Sequence, residues 1–378
     1  MSVQLLMVLS ASGVASAHRY TEVATSPVEY FNRVLLNANH SMKAIQFQQP
    51  GEPASVLASL DIESPVPRPG EVLVRMLSTP VNPSDLMYIR GRYTIPAACP
   101  ATPGFEGVGI VEASGGGLRG RLMMNRRVVV PNRRGGNWAE YAVVPSSEVV
   151  PVSKDLTNDQ AATFFVNPAT AWVMTREVLK VPNGQWLIQT AAGSALGRMI
   201  IRLGHATGFK TFNIVRREST AEELRRLGAD HVEVFDELKN TPEELSAAIR
   251  KTISVTGAGA EYAIDAVGGA TGSALVQCLG PKGRMLSYGT LSNQPLVINP
   301  RVLLTNSSRI EGFWLGSYMS SVSLPFKLRL VYRLTQLIQA GVLSTEIAET
   351  YTLDQIHDAV KAAEDSLVSG KVLLKIAD

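Results

Sequence analysis

At 378 residues, with 45% apolar and 18% charged side chains, the chain has the balance of a two-domain globular protein, which excludes a disordered or fibrous one. Its net charge of +3 is too small to argue for nucleic acid. Two cysteines, Cys99 and Cys278, supply neither a disulfide framework nor a four-cysteine zinc site, and they fit a reducing compartment.

The first 41 residues stand apart. Residues 3–17 (VQLLMVLSASGVASA) form an apolar, small-residue run ending in Ala-Ser-Ala, the outline of a secretory h-region with its cleavage site. No Lys or Arg precedes the run, and at about 15 residues it is short of the ~20 a spanning helix needs. Glu22 and Glu29 speak against a transit peptide. The expectation is an unstructured extension ahead of Met42, with targeting as the alternative and no membrane span.

From Met42 to about Val152, short apolar runs at 72–77, 107–112, 127–131 and 141–144 are broken by Pro and Gly clusters. That spacing predicts a compact antiparallel, barrel-like domain. From about Asn183 the rhythm changes. Strands are expected at 185–190, 211–215, 260–265 and 283–288, alternating with helices at 194–207, 221–227 and 270–279. Such alternation predicts a doubly wound α/β domain, a parallel sheet covered on both faces. Helices at 325–339 and 353–365 and a strand at 372–376 form a tail expected to return to the first domain.

The sharpest motif is Gln189-Thr190-Ala191-Ala192-Gly193-Ser194-Ala195-Leu196-Gly197, between a predicted strand and a predicted helix. Small residues there let the backbone approach a pyrophosphate, and the helix N-terminus adds free amides and a positive dipole end. Ala195 stands where a G-x-G-x-x-G pattern has its second glycine, so the match is imperfect. Gly193, Ser194, Ala195 and Leu196 are the candidate phosphate contacts. The following strand ends Asn213-Ile214-Val215-Arg216-Arg217, with two arginines where NAD readers carry an acid for the ribose 2′-hydroxyl. A guanidinium suits a 2′-phosphate, so Arg216 and Arg217 point to NADPH.

Further motifs are Val81-Asn82-Pro83-Ser84-Asp85, Arg90-Gly91-Arg92-Tyr93, Pro103-Gly104-Phe105-Glu106-Gly107, Val166-Asn167-Pro168-Ala169-Thr170-Ala171, Val267-Gly268-Gly269, Tyr288-Gly289, Gly312-Phe313-Trp314-Leu315 and Ser369-Gly370-Lys371. With the glycine turn and the Asn213–Arg216 strand end, they resemble the medium-chain dehydrogenase/reductase superfamily from Met42 to the C-terminus. The nearest branch is the zinc-independent trans-2-enoyl-CoA (enoyl-thioester) reductases, and quinone oxidoreductases come next. The resemblance implies a GroES-like catalytic domain at 42–165 and 317–378 and a Rossmann NADP-binding domain at 166–316. Zinc alcohol dehydrogenases of the superfamily carry a Cys near Asn82 and a His at Phe105, so the implied chemistry runs without a metal.

The resemblance also assigns roles. Tyr93 would stabilise the enolate formed by hydride addition and deliver a proton, although Thr94 follows where a glycine is common. Asn167 would meet the nicotinamide ribose, or else form an Asx-turn before Pro168. Tyr288, Gly289, Thr290 and Leu291 would line the cofactor, and Phe313, Trp314 and Leu315 would wall the nicotinamide. Lys371 would reach a cofactor phosphate or be solvated. Arg90 and Arg92 would meet a CoA or carrier phosphate, or be solvated. Ser84 and Asp85 read as a turn with a local hydrogen bond. The implied reaction is NADPH-dependent reduction of a trans-2-enoyl thioester, with quinone or enone reduction as the alternative and a non-catalytic cofactor binder as a third class. A cytoplasmic homodimer is expected, mitochondrial in a eukaryote, with 296–298 as an apolar edge for the pairing of two copies.

Overall fold

Strand-forming runs and Pro/Gly breaks build the first unit. In the computed structural model, which describes residues 41–253, 259–365 and 370–377, β1 (Ser41–Gln46) pairs antiparallel with β2 (Ala58–Glu63). Then come β3 (Glu71–Pro80), β4 (Val108–Ser114), β5 (Arg127–Val129), β6 (Tyr141–Pro145) and β7 (Val150–Pro151). Alternate residues Val72, Val74 and Met76 of β3 pack on Val111, Val128, Ala142 and Val144, the period-2 burial that fixes register. Short helices at Pro83–Ile89, Leu118–Met123 and Asn158–Ala162 interrupt the strands. The β-rich pattern of the sequence hides them.

The second unit is a six-stranded parallel sheet of β8 (Trp186–Gln189), β9 (Lys210–Val215), β10 (His231–Val234), β11 (Ala260–Asp265), β12 (Leu279–Ser287) and β13 (Arg309–Gly312), in the order β10-β9-β8-β11-β12-β13. The chain winds outward from β8 through β9 to β10, then crosses to β11 on the other side. Between β8 and β11 lies the switch point where such sheets bind ligands, at the carboxyl ends of the strands. The helix Ala195–Thr207 ends at Gly208, whose φ of +85° makes it the left-handed cap.

One expectation fails here. Residues Leu296, Val297 and Ile298 form no strand, and β13 is the edge of the sheet. The Val297 amide instead donates to Ser273 Oγ at 2.9 Å, which ties this run to the helix Gly269–Cys278. The helix expected at 221–227 starts earlier, at Glu218, and that expected at 353–365 opens with a 3-10 turn at Leu353–Gln355.

The tail returns to the first sheet. β14 (Ile347–Tyr351) and β15 (Lys371–Lys375) complete it, and β15 pairs antiparallel with the end of β3, Leu373 opposite Pro80. The two units share a core in which Leu77, Val108 and Val129 join Leu187, Met199 and Leu203. Leu330 and Leu334 of the helix Leu324–Gln339 complete this seam. Among the described residues no helix is long and apolar enough to cross a membrane.

Candidate active site

The glycine turn is built around two close approaches. A Cβ on Gly193 would lie 2.6 Å from Thr220 Cγ2, and one on Gly197 would lie 2.4 Å from the Ala192 carbonyl oxygen. Only glycine lets the helix Ala195–Thr207 sit this close to the strand end. Ala191 takes the left-handed φ of +50° to make the bend. Ser194 caps the helix, its Oγ accepting from the Gly197 amide at 3.1 Å. The amides of Ala195 and Leu196 then remain as the first-turn donors for an anion. Arg198 braces the turn, donating from Nε to the Gly193 carbonyl at 3.1 Å and pairing with Glu223.

Beside the turn, the Ala192 amide donates to the Ile214 carbonyl at 3.2 Å. The end of β9 thus stands against the cradle, and Arg216 follows it, exposed. Arg217 is the residue before the helix Glu218–Arg226. Cations at this end oppose the helix dipole, an arrangement a bound phosphate would reverse. The cradle's tight glycines, first-turn amides and arginine pair fit a dinucleotide.

The ends of β11, β12 and β13 bring the other candidates to the same edge. The loop carrying Tyr288, Gly289, Thr290 and Leu291 is pinned by bonds from the Tyr288 amide to Asp265 O (2.9 Å) and from the Leu291 amide to Ala266 O (3.0 Å). Burial pushes the Tyr288 phenol up. The Phe313 amide donates to Ser287 O at 2.8 Å, which sets Phe313, Trp314 and Leu315 next to that loop. Asn167 lies in the first turn of the helix Val166–Trp172, half-buried, and its side chain makes no hydrogen bond among the described residues. The Asx-turn alternative is therefore not what the structure holds.

Tyr93 meets this edge from the β-rich unit. Trp314 Nε1 donates to the Tyr93 hydroxyl oxygen at 3.1 Å, and the two rings stand edge to face, 6.4 Å apart. Tyr93 also lies over Phe105, centroids 4.9 Å apart. Burial, more than the nearby Asp85, holds its phenol above the ordinary value, while the Trp314 bond pulls the other way. An indole N–H can only donate, so Tyr93 accepts from it and keeps its own proton for a third group. That is the geometry of a donor waiting for an acceptor.

Beneath Phe105 lies a polar cluster that the sequence did not suggest. Lys371 Nζ donates to Asn82 Oδ1 at 2.7 Å, and Asn82 Nδ2 donates to Glu106 Oε1 at 2.9 Å. Asp85 accepts from the amides of Asn82 (2.8 Å) and Phe105 (3.0 Å). Burial raises the Asp85 carboxyl to about 7, raises Glu106 and lowers Lys371. Two expectations are corrected here. Lys371 is a buried partner of Asn82 and is not solvated, because β15 carries it into the interior. Asp85 does bond locally, yet it also reaches across to Phe105. Arg90 is spent as well, held by Glu52 and Glu364, whereas Arg92 is exposed. Among the described residues no three His, Cys, Asp or Glu side chains are grouped to hold a metal ion.

Residues 195–327 match the zinc-binding dehydrogenase family and residues 68–154 the alcohol dehydrogenase GroES-like domain. Over 337 residues the chain is 31% identical to the mitochondrial enoyl-[acyl-carrier-protein] reductase of Rattus norvegicus, covering 88% of each. Among solved structures it resembles a Bacillus thuringiensis protein provisionally assigned as an NADPH:quinone reductase. That likeness has 32% identity and a TM-score of 0.78, over 89% of this chain and 99% of the other. The Etr1p/NADP/crotonyl-CoA complex is 25% identical with a TM-score of 0.75, over 89% and 99%.

Proposed function

This chain belongs to the zinc-independent medium-chain dehydrogenase/reductase superfamily, and on that premise we propose that it reduces the carbon–carbon double bond of a trans-2-enoyl thioester with NADPH. It is an oxidoreductase with a small-molecule acceptor. The observation that carries the finer reading is the Trp314-to-Tyr93 hydrogen bond, which joins the two units and leaves the phenol proton uncommitted. Ala195 and Leu196 amides hold the pyrophosphate, Arg216 and Arg217 the 2′-phosphate, and Asn167 with Tyr288 to Leu291 the nicotinamide end. A bound nicotinamide supplies the hydride that forms the new C–H bond at the β-carbon. As the double-bond electrons move to the thioester carbonyl oxygen, Tyr93 gives its proton to that oxygen. The enol then becomes the saturated thioester as the α-carbon takes a proton from solvent and the Tyr93 phenolate recovers the hydroxyl proton. Relatives named enoyl-[acyl-carrier-protein] reductase and a structure holding crotonyl-CoA support this acceptor class.

The likeness to the Bacillus thuringiensis protein favours quinone reduction as the second reading. Rates of NADPH oxidation with a 2-enoyl-CoA and with a simple quinone separate the two. The thioester is expected to turn over faster by kcat/KM, and a quinone preference would overturn the proposal. The site's companion is a second copy of the chain. Among the described residues β13 is the open edge of the parallel sheet, and pairing across a two-fold axis would cover it. Light scattering at micromolar concentration is expected to give the dimer mass, and a monomer would refute it. The reducing compartment read from the two cysteines is the setting proposed, as in relatives named mitochondrial.

A further inference from the structure

The helix Leu324–Gln339 turns Leu330, Leu334 and Ile338 into the core between the two units. Its outer side is not the polar face of an ordinary surface helix. Leu324, Leu328 and Tyr332 are 57%, 62% and 67% exposed, and their four-residue spacing sets them in one line along the helix. Arg329 and Arg333 are exposed beside that line, and Arg333 lies over the Trp172 ring, 5.5 Å from its centroid. From Gly312 to Thr345 the sequence has no Asp or Glu and three cations, Lys327, Arg329 and Arg333. Glu177 is already bonded to Trp172 Nε1 at 3.0 Å. No carboxylate of this segment therefore balances the two arginines. The face also lies near the chemistry. Phe313 contacts Tyr318 and Tyr318 contacts Phe326, with centroids 6.1 and 6.0 Å apart. That aromatic run joins the start of the helix to Phe313, the neighbour of Trp314.

We propose that the line of Leu324, Leu328 and Tyr332, with Arg329 and Arg333, is the docking surface for an acidic acyl-carrier protein that delivers the enoyl thioester on its pantetheine arm. The inference rests on the enoyl-thioester reading of the site and names its macromolecular partner. A carrier helix with carboxylates around a short apolar strip meets both features at once, the leucines and tyrosine by packing and the arginines by charge. Three side chains in a single line suit a small, transient protein contact. They make too narrow a strip for a helix lying in a lipid interface, which buries a whole apolar face. A second copy of the chain is disfavoured by charge, because across a two-fold axis the patch faces itself and sets arginine against arginine. A CoA thioester brings the same acyl chain without the protein, so it has no use for this surface.

The test compares the full-length wild type with Leu328→Ser, Arg329→Glu and the double variant. Substrates are one trans-2-enoyl chain carried either by an acyl-carrier protein or by CoA. Binding of the labelled holo-carrier without an acyl chain is followed by fluorescence anisotropy. The double variant is expected to raise KM for the carrier substrate about tenfold or more, the scale of lost hot-spot contacts. Its kcat, and its kcat/KM with the CoA substrate, should stay within about twofold of wild type. Both positions are exposed, so melting temperature should hold. Holo-carrier binding should weaken in step with KM, and added salt should weaken it more in the wild type than in Arg329→Glu. An unchanged KM for the carrier substrate in the double variant would overturn the proposal. So would an equal rise in KM for both substrates, which would place the patch in the acyl site itself. A change of oligomeric state in the double variant would give the face to a second copy. Wild type that binds phosphatidylglycerol vesicles and not the holo-carrier would give it to a lipid surface, and either result refutes the carrier. A wild type that reduces neither thioester defeats the functional reading alone, and holo-carrier binding then decides this one.

Discussion

Arg216 stands exposed just past the end of β9, beside the glycine turn. A charge-assisted contact to the 2′-phosphate is worth about 1.5–3 kcal/mol, or roughly ten- to a hundred-fold in affinity. Arg216→Ala should weaken NADPH by that factor in a fluorescence titration and leave NADH nearly unchanged. Equal binding of the two cofactors by the wild type would end this reading. Asp85 makes a different prediction, about pH. Its carboxyl is raised to about 7 by burial, so the folded state favours the protonated form. That contribution to stability is full below about pH 4 and is lost as pH rises through 7. Melting temperature should therefore decline from pH 5 to pH 8, and Asp85→Asn should flatten the decline. An unchanged slope in the variant would contradict it. At this scale Tyr93 and Arg216 could be picked out as candidates, because each sits in a local motif. The bond from Lys371 to Asn82 was not legible, because the two are 289 positions apart in the chain. The local context of Lys371, Ser-Gly-Lys near the C-terminus, reads as a cofactor-phosphate contact or as solvated.

At the scale of elements, the helix Ala195–Thr207 was legible almost to the residue. A serine cap opens it and a left-handed glycine follows it, and both signals are local in sequence. The run at 296–298 was misread because apolar residues after a proline resemble an edge strand. What decides its fate lies elsewhere. A Cβ on Gly272 would sit 2.6 Å from Leu296 Cδ2, so the leucine packs into a notch on the helix Gly269–Cys278 instead. Gly197 gives the element-scale prediction. Alanine there gains about 1 kcal/mol of helix propensity. Its Cβ would lie 2.4 Å from a backbone oxygen, a clash no rotamer relieves, and such overpacking costs about 1–3 kcal/mol. The clash wins. Gly197→Ala should lower the melting temperature by several degrees and weaken NADPH, as followed by thermal shift with and without cofactor. A variant as stable and as tight as the wild type would show that the turn has room.

Over the whole molecule, the fold class follows from rhythm. Period-2 burial with frequent breaks gives the β-rich unit, and strand–helix alternation gives the parallel sheet. How the units meet is set by long-range contacts that no local pattern encodes. β15 joins β3, the core runs across both units, and Tyr93 reaches Trp314 across 221 positions. It is this junction that, as we propose, makes Tyr93 the proton donor in enoyl-thioester reduction.

Single-turnover oxidation of bound NADPH by a 2-enoyl-CoA, in wild type and Tyr93→Phe, tests that claim most directly. The phenylalanine keeps the ring over Phe105 and removes only the hydroxyl, so NADPH Kd and melting temperature should hold. The rate should fall by about a hundred- to a thousand-fold, the cost of one lost donor to a developing oxyanion. A variant that keeps more than about half of the wild-type rate, where such a donor is worth a hundred-fold, would contradict the account and remove Tyr93 from the chemistry.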